Sequence, residues 1–305
     1  MEEKKKTIVK TVNRTGKSLV KKALVVKAKK QTAVTADKIK KINEDLRVKK
    51  EALIKKEEVL VAASAGKVVD DAKADKKYTL TIGLKDLLDA GCHLGHKISK
   101  THPKAREAIY TAKDGIQVID LVKTLDGLER ACNFIYNAKR NGKQIVLVGT
   151  KRQAREVVRR VANEAGVPYV TDRWLGGTIT NWEQIRKDIR KMADLKEGLD
   201  KGKFKESTKR EILDIKKEVT RLEKIVGGLS RLDKLFEMVF VVDAGFEKTA
   251  VKEAMMKGVK TLAMVDTDSN PLKVNYAIPT NDDNVKSITI IVEEIGKAIK
   301  AAGVK

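Results

Sequence analysis

Residues 171–186 read TDRWLGGTITNWEQIR and concentrate more chemistry than any other stretch of this 305-residue chain. Both tryptophans, Trp174 and Trp182, lie here beside Arg173, Arg186 and the pair Gly176-Gly177. Adjacent glycines let a backbone turn where a Cβ would clash. Thr178, Thr180 and Asn181 are all helix-capping residue types, and Glu183 stands three after Thr180, the spacing of a capping box. Placed between a strand and a helix, such a loop presents cations and flat rings beside uncovered amides, which suits a phosphate-rich surface. The same residues also suit a hydrophobic plug, with both indoles in the core and Arg173 in water.

Three further clusters carry candidate chemistry. GTKRQAR (149–155) follows an apolar run and opens a helix, where amides and the helix dipole attract anions. Lys151, Arg152 and Arg155 add charge there. The Gly-x4-Gly-Lys frame is missing, and a single glycine does not make a dinucleotide fingerprint, so contact with RNA phosphates is favoured over a nucleotide site. GCHLGHKISKTHPKAR (91–106) holds all three histidines, His93, His96 and His102. A metal needs converging ligands, yet this segment is broken by glycines and contains no acid. Packing, and RNA contact by Lys97, Lys100, Lys104 and Arg106, are the simpler roles. Cys92 and His93 are adjacent and so rarely face each other as a catalytic pair. VDTDSNP (265–271) and NDDN (281–284) place Asp266, Asp268, Asp282 and Asp283 beyond strand ends, where Mg²⁺ is one possibility. Turn and helix-cap duty explains them more cheaply. No acid–base set converges, so the expectation is a protein with no catalytic residues, no metal and no cofactor.

Charge narrows the partner. The chain has 65 Lys plus Arg against 42 Asp plus Glu, a net of +23. An excess of that size speaks of polyanion binding rather than of fold. Residues 1–77 hold 23 basic and 11 acidic residues, about three times the net charge density of the remainder. Two cysteines without a CxxC pair fit a reducing compartment. No apolar window is long enough to span a bilayer, and the N-terminus has neither a secretory core nor the acid-poor composition of a transit peptide. A cytoplasmic location is the expectation.

The elements that position these clusters follow from periodicity. Residues 1–77 lack large apolar side chains in regular spacing and are expected to form a mobile basic extension, with a small helical domain as the alternative. The body, 78–305, begins with a short extended entry and a helix over 84–90. A hairpin over 108–120 turns at Asp114-Gly115, and a helix covers 121–141. Residues 144–148 form a continuous apolar strand, as in a parallel sheet covered on both faces. A basic helix and a strand over 167–170 complete a β-α-β unit. Strands over 238–243 and 259–266 repeat the pattern around a helix at 247–257. A short strand at 277–279 and a helix over 285–302 close the chain. Alternating strands and helices imply an α/β, doubly wound open sheet. Between 182 and 226 lie two charged helices with a break near 198–204. Ile212, Ile215, Val219, Leu222 and Val226 recur at alternating steps of three and four, which is heptad spacing. An inserted antiparallel coiled-coil hairpin is expected, with surface helices lying on the sheet as the alternative.

Four stretches, in order across more than 200 residues, resemble the bacterial small-subunit ribosomal protein S-two family. They are LLDAGCHLGH (87–96), GIQVIDLVKT (115–124), VGTKRQA with DRWLGGTITN (148–154 and 172–181), and the VDT, Pro and IPTNDD run (265–283). The resemblance implies a flavodoxin-like body with an inserted coiled-coil hairpin. It implies binding to small-subunit ribosomal RNA between head and body on the solvent side, with no catalysis, and neighbouring ribosomal proteins that include ribosomal protein S-one. By motif position the RNA-facing role goes to Lys97, Lys100, Lys104, Arg106, Lys151, Arg152, Arg155, Arg173 and Trp174. The chain departs from the family pattern at Thr101-His102-Pro103, Leu235-Phe236 and Ala277-Ile278-Pro279-Thr280, which affects local loop shape. Residues 1–77 have no counterpart in the typical member.

Overall fold

Five apolar runs form one parallel sheet in a computed structural model that describes residues 77–204 and 208–303. The expected basic extension therefore lies outside the described residues, save Lys77. In chain order the sheet strands are β4 (Ile145–Val148), β5 (Tyr169–Val170), β6 (Met238–Val241), β7 (Lys260–Val265) and β8 (Tyr276–Pro279). Their spatial order is β5-β4-β6-β7-β8, every pair parallel. This is the 2-1-3-4-5 arrangement of flavodoxin-like sheets.

The strands read as unbroken apolar runs because both faces are covered. Ile145, Leu147, Met238, Phe240, Leu262 and Met264 face one layer of helices, α2 (Leu121–Arg140), α3 (Arg155–Ala165) and α7 (Val285–Gly303). Val146, Val148, Val239, Val241, Ala263 and Val265 face the other, made of α4 (Trp182–Asp200), α5 (Lys209–Val226) and α6 (Lys248–Lys257). Each large side chain fully buried this way contributes roughly 1.5–3 kcal/mol. Gly127 on α2 lies so close to β8 that a Cβ would stand 2.7 Å from the Ala277 carbonyl oxygen.

A second sheet precedes the first. Behind the short helix α1 (Leu84–Asp89) come β1 (Leu94–Lys97), β2 (Ile109–Lys113) and β3 (Ile116–Ile119), antiparallel in the order β1-β3-β2. The expected hairpin is β2–β3, and both turn residues take positive φ, Asp114 at 52° and Gly115 at 78°. Strand β1 was not anticipated in the glycine-broken segment. Its backbone is fixed from outside: the His96 amide donates to the Thr267 hydroxyl (2.9 Å), and the His102 amide to the Thr267 carbonyl (2.8 Å).

One helix boundary and one helix cap differ from expectation. Helix α3 begins at Arg155, so Lys151 and Arg152 sit in a preceding turn whose Ala154 and Arg155 amides donate to the Lys151 carbonyl. Helix α4 begins at Trp182 with Asn181 at its N-cap and no side-chain cap, so Thr180 and Glu183 form no capping box. Helices α4 and α5 pack on each other, with Ile185, Ile189 and Met192 buried in the same cluster as Leu222 and Val226. Lys191 pairs with Glu218 across them at 2.9 Å.

Candidate nucleic-acid interface

After β4 the chain crosses one way, and after β6 it crosses the other. The crevice outside the carboxyl ends of these strands is where open α/β sheets receive ligands. Here the protein's own charges fill it. The Lys151 ammonium, with 14% of its side chain exposed, lies 3.0 Å from Asp243, 2.8 Å from Asp282 and 2.6 Å from Asp283. Burial works against that charge, but the three carboxylates outweigh it and hold the lysine pKa above its ordinary value. Asp282 is 1% exposed. Burial, and then Asp243, push its carboxyl above the usual range while Lys151 opposes them. The buried Glu247 carboxylate accepts a hydrogen bond from Thr150, and burial raises its pKa also. Lys151, expected on the surface facing RNA, is instead the counter-charge of a buried acidic cluster. The reason is local: the turn ahead of α3 aims it inward across the sheet edge.

The small sheet seals the same edge. His96 stands between Asp266 (Nδ1 to Oδ2, 3.1 Å) and Asp283 (Nε2 to Oδ2, 3.5 Å). Burial lowers its pKa, but Asp266 and its neighbours raise it further, to a net value above ordinary histidine. His102 caps the 3₁₀ turn Pro103–Ala108 by accepting from the Lys104 amide. Among the described residues no group of three or more His, Cys, Asp or Glu side chains is disposed to hold a metal ion.

The loop after β5 is organised by a residue far away in sequence. Glu253 on α6, 6% exposed, accepts from the amides of Gly177 (2.8 Å), Ile179 (3.0 Å) and Thr180 (3.1 Å). It also accepts from the Thr180 hydroxyl (3.2 Å) and the Trp174 indole (3.3 Å). Burial alone would raise its pKa, but these donors hold it below the ordinary glutamate value. The amides that were candidates for a phosphate thus serve an internal carboxylate. Trp174, expected to face RNA, is 7% exposed and plugs the core. The polar tip of its indole is satisfied by Glu253, so the buried position costs little.

What remains is a rim of cations. Arg152, Arg155 and Arg173 are exposed, as are Lys97, Lys100, Lys104 and Arg106. Arg155 also ties two loops together, donating to the carbonyls of Thr150 (2.9 Å) and Asp172 (3.2 Å). The other six make no ion pair with a described carboxylate, whereas Arg159 and Arg160 are paired with Asp172 and Glu293. All seven lie around the carboxyl edge of the parallel sheet, because the loops after β4 and β5 and the segment docked on Thr267 share that edge.

Comparison with known proteins identifies the family. The family model described as Ribosomal protein S2 matches residues 87–302. The chain belongs to the ribosomal protein S2 family. A relative named "Small ribosomal subunit protein uS2" from Roseiflexus sp. (strain RS-1) is 42% identical over 217 residues, covering 71% of this chain and 83% of that protein. A protein of the same name from Chloroflexus aurantiacus (strain ATCC 29366 / DSM 635 / J-10-fl) is 39% identical over 217 residues, covering 71% and 91%. The family match begins after the basic extension and takes in every rim residue. Glu253 and the inward turn of Lys151 escaped the sequence because their partners lie 73–79 and 92–132 residues away. The only local hint was the number of amide donors in the loop.

Proposed function

We propose that this protein is a structural constituent of the small ribosomal subunit, holding ribosomal RNA against the cationic rim at the carboxyl edge of its sheet. The observation that carries the reading is the rim itself: Lys97, Lys100, Lys104, Arg106, Arg152 and Arg173 are exposed and free of described carboxylate partners, in a chain of net charge +23. Cations left unpaired on one edge repel each other and gain most from a polyanion. Family membership supports ribosomal RNA as that polyanion, since the relatives are named as small-subunit proteins. The site filled by Lys151 argues for a rigid scaffold rather than a ligand crevice. Helices α4 and α5 are the coiled-coil hairpin of this reading, supported by heptad spacing and the Lys191–Glu218 pair. Exposed Leu94, Tyr110 and Ile116 on the small sheet support a protein neighbour as well, the role that the family resemblance gives to ribosomal protein S-one.

The test is a salt series on the full chain with purified small-subunit RNA. Log K should fall by roughly 0.7–0.9 per neutralised phosphate for each unit of log salt. The Arg152→Gln/Arg173→Gln double variant should lower that slope by about two contacts. In lysate, the protein should cosediment with small subunits. A flat salt series, or a purely free soluble pool, would overturn the assignment.

A further inference from the structure

One stretch sorts its charges by sign. Between residues 243 and 257 every acid is buried: Asp243, Glu247 and Glu253 are each less than a tenth exposed and each engages an interior donor. Every base in the stretch, Lys248, Lys252 and Lys257, is exposed and makes no ion pair with a described carboxylate. Other helices do the opposite, lacing their surfaces with pairs such as Lys191–Glu218 and Arg160–Glu293. Helix α6 therefore shows the solvent a face of uncompensated positive charge.

At the head of that face stands Phe246, 61% exposed in a protein with only five phenylalanines. Its backbone is fixed. The Phe246 amide donates to Asp243 Oδ1 (2.8 Å), and Asp243 Oδ2 lies 3.0 Å from the Lys151 ammonium. Asp243 itself holds φ at +68°, which a side chain adopts at a cost of about 1–2 kcal/mol. Gly245 beside it touches the loop after β7 so closely that a Cβ would stand 2.2 Å from the Ser269 hydroxyl. A strained, pinned turn that projects a large ring into water loses the ring's burial energy and so points to a use for the ring. The turn Pro271–Lys273 packs on α6 and carries Leu272, half exposed, and Lys273, exposed.

We propose that Phe246 is a stacking platform for an unpaired RNA base, with Lys248, Lys252 and Lys273 holding the flanking phosphates. This rests on the RNA-binding reading above and adds a second, separate contact to it. A ring face takes any base, and lysines beside it neutralise the strand that carries the base. The uncompensated charge selects a polyanion as the occupant over a peptide.

The test uses the full chain, purified small-subunit RNA and four variants. Phe246→Ala should weaken binding about 5- to 150-fold without changing the salt slope, because stacking involves no counterion release. Phe246→Trp should restore affinity. Lys248→Gln/Lys252→Gln should instead lower the slope by roughly 0.7–0.9 per phosphate lost. Phe246 is exposed, so its variants should melt like the parent, and a melt on each confirms it. A photo-crosslinking phenylalanine at position 246 should then capture RNA in assembled small subunits. Parent-like affinity for Phe246→Ala, or capture of protein instead of RNA, overturns the platform. If Arg152→Gln/Arg173→Gln alone weakens binding, the rim reading stands and this one fails. If the parent does not bind RNA, both fail.

Discussion

Replacing Glu253 by Gln removes one formal charge and almost no volume, so its effect isolates the hydrogen bonding that holds the tryptophan loop. One carboxylate oxygen receives the Gly177 amide and the Trp174 indole, and the other receives the Ile179 and Thr180 amides and the Thr180 hydroxyl. A glutamine amide has only one acceptor oxygen. In the better of its two orientations, its NH₂ faces the Gly177 and Trp174 donors and leaves both unsatisfied. Each buried orphan costs roughly 1–3 kcal/mol, so the loss is about 2–6 kcal/mol. For a body of this size each kcal/mol moves the melting midpoint by about 2–4 °C, so the expected fall is roughly 4–24 °C. Calorimetry on the full chain, with amide exchange at Gly177, Ile179 and Thr180, reads both global and local consequences. A midpoint within about 2 °C of the parent, with exchange unchanged, would refute the claim that this carboxylate organises the loop.

Two further perturbations probe the sheet edge. Lys151→Gln leaves Asp243 and Asp282 buried without their cation and should cost about 3–5 kcal/mol in urea unfolding, whereas Arg152→Gln should change stability by no more than about 0.5 kcal/mol. A Lys151 variant that folds normally but binds RNA with a lower salt slope would return that residue to the surface role. For pH, the folded histidine pKa at His96 is raised, so its stabilisation is complete below the ordinary value of about 6.5 and lost as pH rises through the folded value. Asp282, also raised, destabilises as it ionises and acts in the same direction. The urea midpoint gap between the parent and His96→Asn should be widest near about pH 6 and narrow toward about pH 9; a gap that widens instead would show that His96 is held neutral.

The fold was legible wherever one residue type forces one geometry. Continuous apolar runs at 145–148, 238–241 and 260–265 mark strands covered on both faces, and Asp114-Gly115 marks a turn that needs positive φ. Strand β1 was not legible, because LGHK has no alternation of its own and is held by Thr267 from the loop after β7. The candidate site divides the same way. Exposed cations such as Arg152 and Arg173 follow from composition and loop position. The inward turn of Lys151 and the burial of Trp174 do not, since a lysine ahead of a helix and an indole beside two glycines look the same whether the partner is RNA or a distant carboxylate. Only the pairing of strands β4, β6, β7 and β8 brings those carboxylates near, and that pairing is a non-local property.

The charge cluster at the sheet edge also sets a timetable for synthesis. Lys151 emerges from the ribosome 131 residues before Asp282, and His96 emerges 171 residues before Thr267. At about 5–20 residues per second, roughly 7–26 s separate Lys151 from the acid that completes its shell. During that interval β4 and β5 can pair, and β6 can bring Asp243, but the small sheet has no edge to dock on. Until β8 and the loop after it are made, Lys151 can therefore meet only Asp243 of its three carboxylates, and the pairs with Asp282 and Asp283 close later.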